Sequence, residues 1–307
     1  MAMDANDQAG VPMPDLPPGP QAVEAPQLVT FDAILPSAMA VRAEESGVKR
    51  VATDTSTLLA LSVLAGAFIA FGAMFATTVS AGAGLPYGVV KLLGGLVFCL
   101  GFFLVVVAGA ELFTGNNLIV MAWASGKVTT RELLRNWTIV FAGNFVGALA
   151  TAVLMFFTTQ YSFGGGSVGL AALSTAHAKS SLALVPAITL GIMCNALVCL
   201  ASWMCYSARS NVDKFFTVVP PVTAFVTAGF EHSIANIYFI PMGLFIKAGA
   251  PDSFWTSIGK TAADFPALTW GNFLLGNLLP VTIGNIIGGS LMVAAVYWFV
   301  YLRQRRA

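Results

Sequence analysis

Six apolar blocks, at roughly 57–80, 92–124, 136–159, 182–206, 215–247 and 270–302, leave this chain little to fold into but a lipid bilayer. About 20 apolar residues let a helix cross one. The second and fifth blocks run to about 33 residues, too long for one straight span and too short for two. Each holds glycine, a carboxylate and an amide near its middle: Gly109-Ala110-Glu111-Leu112-Phe113-Thr114-Gly115-Asn116 and Gly229-Phe230-Glu231-His232-Ser233-Ile234-Ala235-Asn236. A charge at mid-bilayer costs at least ~2.5 kcal/mol. Irregular backbone survives at that depth only where it lines protein or a water-filled cavity. Both blocks are therefore expected to be broken helices.

Composition narrows the partners. Only 9% of residues are charged, against roughly 25% in a soluble domain, and a net charge of +1 gives no reason to expect nucleic acid or an acidic partner. Lipid is the expected surrounding. Cys99, Cys194, Cys199 and Cys205 form no Cys-x-x-Cys pair and have no histidine near them, so they read as packed thiols rather than zinc ligands or disulfides. The first thirty residues lack the apolar core of a cleavable signal peptide. Pro12, Pro14, Pro17, Pro18, Pro20 and Pro26 make residues 1–29 an expected disordered tail, ahead of a single transmembrane channel domain over 30–307. A short helix is expected from Pro36 to Ser46, stopped by Gly47, with Phe31, Ile34, Leu35 and Ala38 resting on the membrane surface.

Six spans place both ends on one side. Arg42, Lys49, Arg50, Lys127, Arg131, Arg135, Arg209, Lys214, Arg303, Arg305 and Arg306 share that side, against only Lys91, Lys179, Lys247 and Lys260 opposite. The positive-inside rule makes both termini cytoplasmic. The two polar stretches lie 120 positions apart, and Gly143-Asn144-Phe145-Val146-Gly147 matches Gly284-Asn285-Ile286-Ile287-Gly288. Three spans is an odd number, so a second copy enters from the opposite side. Inverted repeats over about 57–160 and 182–302, broken at the same place, point to a central substrate path.

Within that path the chemistry is sparse. Glu111 and Glu231 are expected to fasten the breaks by accepting freed backbone N–H groups. His232 carries the side chain whose charge changes near neutral pH. Asn116, Asn117, Asn236 and Asn285 either donate N–H groups to an anion or fasten helices. Phe98, Phe102 and Phe225 stand near the breaks and suit hydrophobic constrictions, while His177 and Lys179 suit a cationic entrance. No metal site or cofactor is expected. Aquaporin-like passage of uncharged solutes fits poorly, since Asn116 precedes Asn117 and Asn236 precedes Ile237 where Asn-Pro-Ala would stand. An enzyme fits worse. Ser233 and His232 are adjacent on a helix and point about 100° apart.

These stretches resemble the two signatures of the formate/nitrite transporter family. The resemblance continues through Phe31-Asp32, Leu35-Pro36, Gly191-Ile192, Asn195, Ser207-Ala208-Arg209-Ser210, Ile240-Pro241-Met242-Gly243 and Pro280-Val281-Thr282-Ile283-Gly284-Asn285, over roughly residues 31–303. It implies an aquaporin-like, all-α homopentamer in the bacterial inner membrane, with six helices and one pore per protomer. The implied cargo is a small monovalent anion moved in a pH-dependent, proton-coupled way: formate first, with nitrite, hydrosulfide or a short-chain carboxylate as alternatives. By position, Phe98, Phe102 and Leu112 would form the cytoplasmic constriction, and Phe225 with Val198 the outer one. His232 would be central, surrounded by Thr114, Asn236 and Asn285, with Lys179 and Asn195 in the outer vestibule. The chain departs from the bacterial formate channels at Phe102, where leucine is expected, at Glu111, in place of a shorter aspartate, and in its Pro-rich tail.

Overall fold

The computed structural model describes residues 33–306, so the Pro-rich tail and Phe31 lie outside the described residues. The first helix, α1 (Pro36–Ala52), opens on Pro36 and runs through Gly47 instead of stopping there. A Cβ at Gly47 would lie 3.0 Å from Ala122 Cβ and 3.4 Å from Ile119 Cα. The glycine is a contact, not a terminator. It lets α1 lie against a 3-10 turn (Gly115–Ile119) and the short α4 (Val120–Ala124). Met39, Ala40, Ala43 and Val51 are buried in that seat, with Cys199 and Trp203 beneath them. Of the residues expected on the membrane surface, Leu35 is exposed and Ile34 half-buried.

Three of the helices begin on acidic or hydroxyl side-chain caps. Asp54 accepts the Thr57 N–H at 2.9 Å ahead of α2 (Thr55–Ser80), and reciprocal capping boxes of Thr129 with Glu132 and Ser210 with Asp213 start α5 (Thr130–Phe157) and α8 (Asn211–Thr227). The other principal helices are α3 (Tyr87–Gly109), α6 (Ser167–Ser180), α7 (Leu184–Cys205), α9 (Ser233–Gly249), α10 (Asp252–Ile258) and α11 (Asn272–Tyr301). No strand occurs among the described residues.

Five helices, α2, α3, α5, α7 and α11, are long and apolar enough to cross a bilayer, and α9 with α10 qualifies only as a pair bent by 113°. The sequence blocks suggest six spans, the second and fifth of them broken. The fifth block is divided, as expected, between α8 and α9 at 17 residues each, both short of the ~20 that cross a membrane, so neither half counts as a span by itself.

Both expected breaks are present. Gly109 closes α3 at φ +81° after a widened final turn, and Gly229 follows α8 at φ +73°. A residue with a side chain loses roughly 1–2 kcal/mol in that left-handed region. Glycine at both positions lets the chain turn out of one helix and toward the next. Around the breaks α2 packs with α3 and α5, as α7 packs with α8 and α11. Gly147 lies directly under the Val63 carbonyl and Gly288 under that of Ile192, where any Cβ would overlap the oxygen.

Candidate functional site: two fastened breaks and a histidine

The extended residues after each glycine expose backbone groups that must find partners in the protein. They find the same ones twice. The Glu111 N–H donates to Leu61 O at 3.3 Å, and the Glu231 N–H to Leu190 O at 3.3 Å. Asn144 Nδ2 donates to Ser62 O at 2.7 Å and Glu111 O at 2.9 Å, while its Oδ1 accepts the Phe113 N–H at 2.9 Å. Asn285 repeats this toward Gly191 O at 2.8 Å, Glu231 O at 2.9 Å and the Ser233 N–H at 2.9 Å.

The carboxylates are held by side chains, not by the backbone N–H groups expected from the sequence. Asn116 Nδ2 donates to Glu111 Oε2 at 2.7 Å and Asn136 Oδ1 at 2.9 Å. Asn236 Nδ2 donates to Glu231 Oε2 at 2.6 Å and Asn277 Oδ1 at 2.7 Å. Asn136 and Asn277 then donate to the carbonyls of Arg50 and Lys179. Those two residues close each circuit as cations, Arg50 on Glu111 at 3.2 Å and Lys179 on Glu231 at 2.7 Å. An acid inside the membrane is thus tolerated because every break brings its own counter-ion and amides.

The copies differ at one corresponding position. Leu112 in the first stands where His232 stands in the second, 120 positions on. His232 Nδ1 accepts the Ala235 N–H at 3.1 Å, capping α9, and Nε2 lies 3.1 Å from Thr114 Oγ1. An Nδ1 that accepts leaves the ring proton on Nε2, so neutral His232 donates to Thr114. The imidazole stacks on Phe225 (centroids 5.9 Å, planes 18° apart), and Phe98 meets Phe225 edge-on at 5.7 Å. The cations differ too. Arg50 also donates to Asn116 Oδ1, whereas buried Asn236 Oδ1 has no partner among the described residues.

Two cavities approach this centre. One, of about 90 Å³, is lined by Lys91, Lys179, Phe98, Phe225, His232 and Asn236 among others. The other, of about 430 Å³, is lined by Arg50, Glu111, Phe102, Leu112, Tyr206 and Lys214 among others. Phe98 and Phe102 lie one helical turn apart on α3 and serve different cavities.

Fastened breaks, a buried histidine and phenylalanines between two cation-lined cavities describe a pore. A family model described as "Formate/nitrite transporter" matches residues 37–299. The chain belongs to that family. It is 48% identical over 275 residues, covering 89% of this chain and 96% of the relative, to the formate channel FocA of Escherichia coli (strain K12). With the formate channel FocB of the same organism it shares 39% identity over 276 residues, covering 90% and 98%. Among solved structures, a "Pentameric formate channel with formate bound" superposes with TM-score 0.78 at 46% identity, covering 81% of this chain and 98% of that one. An "FNT family ion channel" does so with TM-score 0.71 at 26% identity, covering 86% and 99%.

In this family member the structure brings His232, Thr114, Phe225, Phe98, Lys179, Glu231 and Asn236 together. Phe102 and Leu112 sit at the opposite cavity. Asn285 and Asn195 are not among the residues lining either cavity. Both N–H groups of Asn285 are spent on backbone carbonyls, and those of Asn195 on Asn117 Oδ1 at 3.2 Å and Asn285 O at 2.7 Å. Val198 is buried on α7 and lines neither cavity. His177 rests edge-on against Phe265. Sequence reasoning did not select Arg50, Asn136, Asn144 or Asn277 for the site. A signal existed: Asn136 and Asn144 are eight positions apart, and so are Asn277 and Asn285.

Proposed function

We propose that this chain is a transporter, not an enzyme, and that it carries small monovalent anions, formate foremost, across a bacterial inner membrane. In this reading each protomer of a homopentamer holds one pore between inverted repeats, and both termini are cytoplasmic. The excess of basic residues near α1, α4 and the chain end supports that orientation. It makes the Arg50 cavity the inner mouth and the Lys179 cavity the outer one. The relatives named as formate channels and the pentameric structure with bound formate support cargo and assembly.

The observation that carries the proposal is His232, which donates to Thr114 beside the phenylalanines that separate the cavities. A bare anion between aromatic rings loses its hydration, at a cost of several kcal/mol after relaxation. A neutral acid loses far less. As the anion approaches the apolar centre its own pKa rises, and the imidazole, with Thr114 as relay, presents the proton. The ring stays neutral only if Nδ1 takes a proton from water entering with the anion as Nε2 passes its own to Thr114, so the ring must release the Ala235 N–H it caps. Proton delivery is thereby tied to the start of α9.

Uptake of labelled formate into proteoliposomes across a pH series, with nitrite, hydrosulfide and lactate as competitors, tests the reading. Saturable formate flux that rises toward acid pH is expected. Flux that ignores formate but follows a competitor would reassign the cargo, and glycerol-driven swelling without anion flux would overturn anion transport.

A further inference from the structure

Four cations line the two cavities, and they are not equivalent. Lys179 is bound to Glu231 at 2.7 Å and Arg50 to Glu111 at 3.2 Å, each inside its fastening network. Their charges are compensated by those carboxylates. Lys91 lines the outer cavity and Lys214 the inner one. Neither ammonium has a carboxylate within ion-pair distance or a hydrogen-bond acceptor among the described residues. The Lys91 Nζ lies 5.5 Å from the centre of the Tyr87 ring, a contact that leaves its charge uncompensated. Asp213, beside Lys214, has its Oδ2 occupied by the Arg209 and Ser210 N–H groups, both at 2.9 Å.

The two free lysines sit at similar depths in corresponding helices, three positions out of the 120-residue register. Lys91 is in the opening turns of α3 and Lys214 in the first turn of α8, the helices that lead into the two breaks. We propose that Lys91 and Lys214 are the anion-collecting residues of the outer and inner mouths, while Lys179 and Arg50 are fasteners. The inference rests on the reading of the pore as an anion path and assigns its two capture sites. An uncompensated charge in a low-dielectric recess focuses the field and raises the local anion concentration, an effect that falls steeply with ionic strength. A compensated pair at the same wall contributes little.

The test uses right-side-out and inverted membrane vesicles containing the full chain, with labelled formate at low ionic strength. Lys91→Gln should raise the KM for uptake from the outer face about three- to tenfold, with maximal rate within about twofold of wild type. Lys214→Gln should do the same in inverted vesicles and leave the outer face unchanged. Lys→Arg at either site should restore the wild-type KM. Salt near 0.15 M, where the screening length is about 8 Å, should shrink both differences. In wild type alone, KM at each face should rise with ionic strength, which keeps the idea testable if a Gln variant does not fold. Saturable wild-type flux with an unmoved, salt-independent KM would overturn the inference and leave the transport reading standing. Absence of saturable formate flux in wild type would overturn both.

Discussion

Set side by side, the two breaks separate fastening from transport. Glycine, glutamate and asparagine recur at the same offsets, and at each break two further asparagines on distant helices repeat their bonds, one to the backbone of the break and one to its asparagine side chain. Whatever both breaks share is what a broken helix needs to exist inside a membrane. Function is to be sought in what is not shared. Leucine at 112 stands where the second break has histidine at 232, Arg50 grips Ser46, Glu111 and Asn116 where Lys179 grips Glu231 alone, and Asn236 Oδ1 is left without a partner among the described residues.

The comparison breaks first at the carboxylates. Glu231→Ala would leave Lys179 largely buried without its partner, a change that costs roughly 3–5 kcal/mol. Its thermal midpoint in detergent should fall by about ten degrees, at ~2–4 °C per kcal/mol. Glu111→Ala should fall less, because the Arg50 side chain is 31% exposed against 16% for Lys179. Equal midpoints for both variants and wild type would remove the fastening role.

A smaller effect sharpens the difference between the cations. Arg50→Lys should leave Asn116 Oδ1 unpartnered, as Asn236 Oδ1 is now, and cost about 1–3 kcal/mol. Lys179→Arg supplies a forked second donor nitrogen for Asn236 Oδ1 and should hold or raise the midpoint. Destabilisation in the second variant and not the first would reverse the account of the asymmetry.

The smallest effect lies outside the breaks. The Ser56 hydroxyl and the Thr57 N–H hold the Asp54 carboxyl well below the usual carboxylate range. A lowered folded-state value means that the cap's contribution is present above the unfolded value, near ~3.9, and is lost as pH falls through the folded one. The midpoint difference between wild type and Asp54→Ala should therefore be full at neutral pH and shrink below about pH 4. A difference that grows on acidification would contradict this sign.

The membrane fold was legible because apolar length and interrupted polar stretches are one-dimensional signals. Gly109 and Gly229 could be placed from sequence for the same reason, since a turn out of a helix leaves a local mark. Gly47 misled, because a glycine at a close helix contact looks like a glycine at a helix end. The fastening partners were harder. Asn136 and Arg50 meet Asn116 only through the packing of α1 and α5, and nothing local to either residue announces it. Lys179 does line a cavity, as its reading as an entrance charge expects, but the sequence does not show the buried carboxylate 2.7 Å away.

The central claim is that His232, unmatched in the first break, carries the proton dependence while the duplicated network only holds the fold. His232→Asn isolates it, because asparagine still caps a helix but has no proton to relay. Formate flux in proteoliposomes should be measured across a pH series for wild type and His232→Asn, with the thermal midpoint of each in detergent. The account predicts a variant of near wild-type stability whose formate flux is strongly reduced and no longer rises at acid pH. Unchanged rate and unchanged pH dependence would make the histidine a packing and capping residue and contradict the account.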